Sequence, residues 1–354
     1  MSRVSLLARA GALSLATALT LMTAPAQAAP ADTSATWLDR QVNDGVVHNG
    51  QYDFDDIGLT IDTGFALQAL GGHATELRAM RKAVASQVAS YTASGEDVYA
   101  GPAAKAVVWA QTVNANPRRY GGVDLVQQLE GTVASNGRIS DRSQWGDYAN
   151  VVGQAYAARG LALAGSSDRH RARRFLLQQQ CSAGYFRVNF TQDKSAADQS
   201  CDGGDKATTS APDTDATALA LLQLSAIPRK GAVVKQAIRK GVNWLARTQR
   251  ANGSHGGGSS TAAVNTNSTG LAAAVLGSHG KCAKAKAAAG WVLKLQARGT
   301  LNGTKLRGQR GAIAYNRAAY RRAAEEGITR EVRDQWRRAT AQAGPGLKYL
   351  KGCR

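Results

Sequence analysis

Apolar residues along this chain recur at helical spacing in two alternating kinds of segment. Stretches such as KQAIRKGVNWLARTQ (235–249) carry charge beside an apolar stripe, the pattern of a helix with one wet face. Stretches such as ATALALLQL (216–224) and STGLAAAVLG (268–277) are small and apolar nearly all round, the pattern of a buried helix. Glycine and proline fall largely in the polar segments between them, and no set of alternating strands is visible.

Comparing the chain with itself turns these segments into repeats. In RARRFLLQQQCSAGYF (171–186) and KGVNWLARTQRANGSHGG (240–257), an aromatic–Leu pair is followed five residues after the aromatic by glutamine (Gln180, Gln249). Glycine stands four further on (Gly184, Gly253). Looser copies carry Trp37, Gln41 and Gly45, and Trp291, Gln296 and Gly299. The second elements begin at Thr63, Thr217 and Thr269, each seven residues before a leucine; drifted copies lie at 104–113 and 149–160, with a sixth at 312–327. Each unit is read as an outer helix, a loop and an inner helix. About six such hairpins in a ring predict an all-α fold, an α/α toroid, as one domain over residues 29–354.

Residues 1–28 combine Arg3 and Arg9, an apolar stretch from Ala10 to Met22 and Ala26-Gln27-Ala28, the pattern of an export signal peptide. Secretion to the extracellular side or the cell wall is the expectation, and no later segment is long and apolar enough for a transmembrane helix. The four cysteines, Cys181, Cys201, Cys282 and Cys353, are then expected in disulfides. Three pairings are possible. Cys181 with Cys201 would close the polar loop between them and Cys282 with Cys353 would fasten the tail, so that arrangement is favoured. Zinc spacing is absent.

The net charge of +19 is unevenly spread: residues 29–100 sum to −6 and residues 281–354 to +14. Such a polycation, ending in a basic segment at about 328–354, is suited to an anionic cell-wall polymer through salt-sensitive attraction. With 6% aromatic residues and no nucleic-acid motif, no nucleic-acid partner is expected.

The KGxxWLxxxQxxxGS string over residues 240–254 resembles the repeat signature of terpene cyclases and squalene–hopene cyclases. The hairpins are similar to those of protein prenyltransferase β-subunits. Over residues 37–327 the likeness is to exported bacterial prenyltransferase/squalene-oxidase repeat proteins, and related toroids bind cobalamin or carry a thioester. The resemblance implies the fold and a cavity, not one reaction.

It also bears on PDTDATALALLQL (212–224). The protonating acid of such cyclases is the middle aspartate of Asp-x-Asp-Asp. That makes Asp215, with Asp213 beside it, the candidate catalytic acid, but the last carboxylate is replaced by Ala216. Aligned on threonine, Asp215 falls with Asn267, Asn150 and Lys105, which favours a helix-capping role. A literal Asp-x-Asp-Asp occurs at Asp53, Asp55 and Asp56, before an inner helix expected to start near Asp62. These carboxylates are a candidate calcium site, without EF-hand spacing.

Together these residues place Asp62, Lys105, Asn150, Asp215 and Asn267 around one mouth that would hold a small polar or anionic ligand. The leading reading is an exported, non-cyclising ligand-binding or cell-envelope accessory protein with no cofactor. The alternative is an enzyme of the terpene cyclase/prenyltransferase-like superfamily, either an acid-initiated cyclase using Asp215 or a lyase or hydrolase acting in the same cavity.

Overall fold

The computed structural model describes residues 28–204 and 209–353, so the export signal lies outside the described residues apart from Ala28. The helices are α1 (Pro30–Asp39), α2 (Ile57–Leu70), α3 (Ala74–Thr92), α4 (Ala100–Thr112), α5 (Leu125–Glu130), α6 (Val151–Leu163) and α7 (Arg169–Gln178). They continue as α8 (Thr214–Ala226), α9 (Ala232–Thr248), α10 (Thr266–Ser278), α11 (Cys282–Leu293), α12 (Arg317–Glu326) and α13 (Arg333–Ala343). Strand structure is limited, among the described residues, to two short antiparallel pairings, His48–Asn49 with Phe54–Asp55 and Ala93–Ser94 with Asp97–Val98.

Six inner helices close a ring: α2 packs on α4, α4 on α6, α6 on α8, α8 on α10, α10 on α13, and α13 back on α2. The chain is an α/α toroid. Small residues let these helices approach closely; a Cβ added at Gly64 would strike the Trp109 ring and one at Gly270 the backbone of Ala343. The sixth inner helix is α13, not the segment 312–327. Asn316 caps α12 through the Ala319 amide, and α12 buries only Ala323, as an outer helix does. Inner position follows burial: α13 encloses Trp336, Ala339, Thr340, Ala341 and Ala343 in spite of its charged sequence.

The repeated threonine ties four of the inner helices to the turn of the outer partner. Thr217 Oγ1 accepts from the Phe186 amide at 2.8 Å and donates to Asp213 O at 2.6 Å. Thr269 does the same with His255 and Asn265, Thr340 with Ile313 and Trp336, and Thr60 with Val47 and Asp56. The member of the first repeat is therefore Thr60, three residues before the threonine expected from the sequence. For the same reason α2 starts at Ile57, and Asp62 lies inside it rather than at its start.

The repeated glutamine and glycine join neighbouring outer helices. Gln249 Nε2 donates to Gly253 O across its own turn at 3.0 Å and to Lys284 O on α11 at 2.9 Å. Gln180 bridges likewise from Gly184 to Ala237 O on α9. Gln296 reaches Pro30 O at 2.7 Å, linking the last repeat to α1. Gly253 has φ of 91°, and a Cβ there would lie 2.5 Å from Ala287 O. At the closing joint the abutting glycine is Gly311, which meets Thr33, whereas Gly299 has open space.

Disulfides join Cys181 to Cys201 and Cys282 to Cys353. The first anchors the long loop between α7 and α8, and the second pins the C-terminus to the start of α11. Gly253→Ala combines a left-handed backbone with a collision against α11 and is expected to cost about 2–4 kcal/mol. Gly290→Ala, on open space within α11, should be neutral or stabilising by up to about 1 kcal/mol. Denaturant unfolding of the two variants checks this, and equal effects would contradict the packed joint.

Candidate functional site

Counting from the residue whose carbonyl receives the threonine, or its counterpart, superposes the inner helices and sorts their ring-facing residues into rows. Two positions on stand Gly58, Gly101, Val152, Asp215, Asn267 and Arg338. Six positions on stand Asp62, Lys105, Tyr156, Leu219, Leu271 and Gln342. Nine positions on stand Phe65, Val108, Arg159, Leu222, Ala274 and Pro345. A cavity of about 670 Å³ occupies the ring, and it is lined by the whole middle row and by all of the third except Val108. Gly101, Val152 and Asn150 line its upper part.

The wall is chemically split. On the α2–α4–α6 side, Lys105 Nζ pairs with Asp62 at 2.7 Å and donates to Gly58 O at 2.9 Å. Burial works against the lysine's charge, but the Asp62 carboxylate holds its pKa above the usual lysine range. Burial raises the phenols of Tyr91 and Tyr156, so both stay neutral hydroxyls. Phe65 stacks on Tyr156 with centroids 5.9 Å apart and meets Trp109 edge-on. Arg159 donates to Gln223 Oε1 at 3.1 Å, and burial lowers its pKa. The α8–α10 side presents Leu219, Leu222, Leu271 and Ala274. One wall is thus polar and aromatic, and the facing one aliphatic.

Of the residues singled out from the sequence, Asp62, Lys105 and Asn150 meet at this cavity. Asp215 and Asn267 stand one turn before Leu219 and Leu271 on the same helix faces, outside the cavity lining. The capping role expected of Asp215 belongs to Asp213, whose carboxylate accepts from the Ala216 amide at 2.7 Å. Its counterparts are Asn265 (from Ser268), Asn150 (from Val152 and Gly153) and Asp56 (from Leu59). Asn150 therefore aligns with Asp213, and Lys105 lies beyond the first turn of α4. A motif with aspartates at alternate positions fits the cap in two registers, which only the hydrogen bonds separate.

Asp215 is consequently free of capping duty. Burial pushes its carboxyl up to about 6, opposed by the Ser268 hydroxyl and reinforced by the charge of Asp213, which burial also raises. Asp215 Oδ1 and Asn267 Oδ1 are buried without hydrogen-bond partners among the described residues. Gly257 and Gly258 allow a loop to lie over the pair: a Cβ on Gly257 would come 3.1 Å from Asp215 Oδ2, and one on Gly258 would strike Asp213.

The carboxylates proposed for calcium are divided among protein partners. Asp53 and Asp55 flank His48, Asp55 also accepts from Gln87, and Asp56 caps α2 and pairs with Arg338. The side chains that do gather three metal-capable donors among the described residues are Asp39, His73 and Glu76, with His73 paired to Asp39 at 2.8 Å. Phe65, Tyr91, Tyr156, Arg159 and Gln223 were not singled out from the sequence. For Tyr156 the usable signal was its distance from Asn150, equal to that of Asp62 from Asp56.

A ring of six inner helices within outer helices, enclosing one cavity, is the terpene cyclase-like toroid fold. Structures of the type II terpene cyclase MstE from Scytonema share it, among them a variant holding its substrate geranylgeranyl dihydroxybenzoate. That one has a TM-score of 0.61 and 16% identity, over 91% of this chain and 96% of the other. A protein from Actinoplanes matches with TM-score 0.61 and 15% identity, covering 91% and 98%. A glycosidase matches with TM-score 0.55 and 10% identity, covering 91% and 96%. No family model and no curated protein matches the sequence. At these identities the likeness establishes the fold alone.

A carboxyl raised above its unfolded value contributes stability that is greatest at low pH and is lost as pH rises through the folded pKa, here about 6. Asp215→Asn removes that titration. The variant should gain about 1–3 kcal/mol relative to wild type between pH 4 and pH 7. Parallel unfolding free energies over that range would rule out the buried, uncapping placement of Asp215.

Proposed function

We propose that this protein is an exported ligand-binding toroid that holds a small amphipathic molecule in its central cavity. The observation that carries the reading is the split wall: an aliphatic face from α8 and α10 opposite a polar and aromatic face from α2, α4 and α6. The volume of about 670 Å³ falls within the ~300–1,000 Å³ of small-molecule sites. Paired cysteines and the amino-terminal pattern support export. Exposed Arg330, Lys348 and Lys351 in the basic C-terminal segment, with Arg310, Arg317, Arg321 and Arg322 before it, suit an accessory role on an anionic cell-wall polymer.

Asp215 supports a second reading, an acid-initiated enzyme. A buried carboxyl pushed up to about 6, with one oxygen unpartnered on the ring-facing side of α8, has the chemistry of a proton donor. Against it stand the missing last carboxylate at Ala216 and the aliphatic half of the cavity wall. If wild type converted an alkene substrate and Asp215→Asn did not, this reading would displace the first.

Native mass spectrometry of protein purified from culture medium tests the binding reading. Wild type should carry a noncovalent mass that Ala274→Trp, which fills the cavity, has lost while keeping its helical circular dichroism. Retention of the same mass by that variant would place the ligand elsewhere. Sedimentation with purified cell wall should fall steeply as salt rises from 50 to 500 mM, on the order of tenfold or more; salt-independent association would end the electrostatic part.

A further inference from the structure

The charged side chains that line the cavity are Asp62, Lys105 and Arg159. The first two neutralise each other at 2.7 Å. No carboxylate lies within ion-pair distance of Arg159 among the described residues. Nη1 donates to the neutral Gln223, and Nε is buried without an acceptor. The cavity therefore contains one uncompensated positive charge, in a place where burial already disfavours it.

A purely structural role explains this poorly. A few residues away, a neutral amide already joins adjacent inner helices, Gln111 Nε2 donating to Gly160 O at 2.9 Å. A second neutral pair could join α6 to α8 without desolvating a guanidinium, which costs free energy unless a counter-charge compensates it. Arg159 also stands in the same row as Leu222 and Ala274, so a group held there has the aliphatic wall beside it.

We propose that Arg159 is the head-group site of the cavity, and that the ligand is a monoanionic amphiphile whose carboxylate completes the ion pair that this guanidinium lacks. The proposal rests on the ligand-binding reading and adds the charge and chemical class of the ligand. One negative charge brings the lining to neutrality, and a guanidinium matches a carboxylate in shape as well as charge. Lys105 does not compete for it, because Asp62 and Gly58 O already occupy its ammonium.

Three probes with a common dodecyl tail separate the possibilities: dodecanoate, dodecyl phosphate and dodecanol, titrated calorimetrically into the purified chain below their aggregation concentrations. Dodecanoate is expected to bind about tenfold or more tighter than dodecanol, a difference typical of a charge-assisted contact. Arg159→Gln should bring that ratio close to one by weakening dodecanoate more than dodecanol, and Arg159→Lys, which keeps the charge but not the planar fork, should restore only part of it. Equal binding of dodecanoate and dodecanol by wild type would overturn the anion site and leave the cavity reading intact. Tighter binding of dodecyl phosphate than dodecanoate would overturn the carboxylate assignment. Failure of all three to bind would sink the cavity reading and this proposal with it.

Discussion

The structure depends on a glutamine side chain whose amide serves more than one acceptor across a joint of the ring. Gln180, Gln249 and Gln296 each donate to an acceptor in the next outer helical segment of the ring: Ala237 on α9, Lys284 on α11, and Pro30 at the start of α1. The Gly184 and Gly253 carbonyls lie in turns outside any helix, and the acceptors Ala237, Lys284 and Pro30 lie in the first two turns of the neighbouring helices. A primary amide can serve two acceptors at once, which is why glutamine recurs there. The third bridge also decides topology, because it joins residue 296 to residue 30 and so converts a row of hairpins into a closed ring. Glycine completes the joint at Gly253 and Gly311, where any side chain would meet the neighbouring backbone.

A second set of bonds, through Thr60, Thr217, Thr269 and Thr340, fixes the height of four of the six inner helices against their turns. Consistent heights let residues far apart in sequence form rows. Asp62 and Lys105, both six positions into their register, meet as an ion pair, and Phe65 meets Tyr156 across neighbouring rows. The cavity is thus a by-product of vertical registration, and its chemistry is written in one position per repeat.

Much of this architecture was legible from spacing alone. The glutamine and glycine periods, the contrast between charged outer and apolar inner segments, and the short separation of Cys181 from Cys201 all reflect local constraints that leave a trace in one sequence. Registration of the weakest repeats was not legible. Near Asp62 a second threonine, Thr63, imitates the true Thr60. In α6 the role passes to Gln154, whose side-chain Oε1 accepts from the Ile139 amide, and in α13 burial comes from ring closure rather than from an apolar sequence. The site suffered accordingly. Asp62, Lys105 and Asn150 were recognised as neighbours, but Tyr156 and Arg159 are ordinary letters until the rows are aligned.

The same alignment separates two aspartates that a motif search treats as one unit. Asp213 is spent on capping α8, so its carboxylate is anchored to the Ala216 amide. Asp215, two residues on in the first turn, lies beneath the glycine loop with one oxygen unpartnered; burial raises both carboxyls, and that of Asp215 reaches about 6. Asn267 occupies the matching place on α10 and likewise leaves its side-chain oxygen without a partner. An acid and an amide in equivalent positions share the ability to accept a hydrogen bond, whereas only one of them can release a proton. Their common physical feature is a buried oxygen without a partner, one turn before the residues that line the cavity.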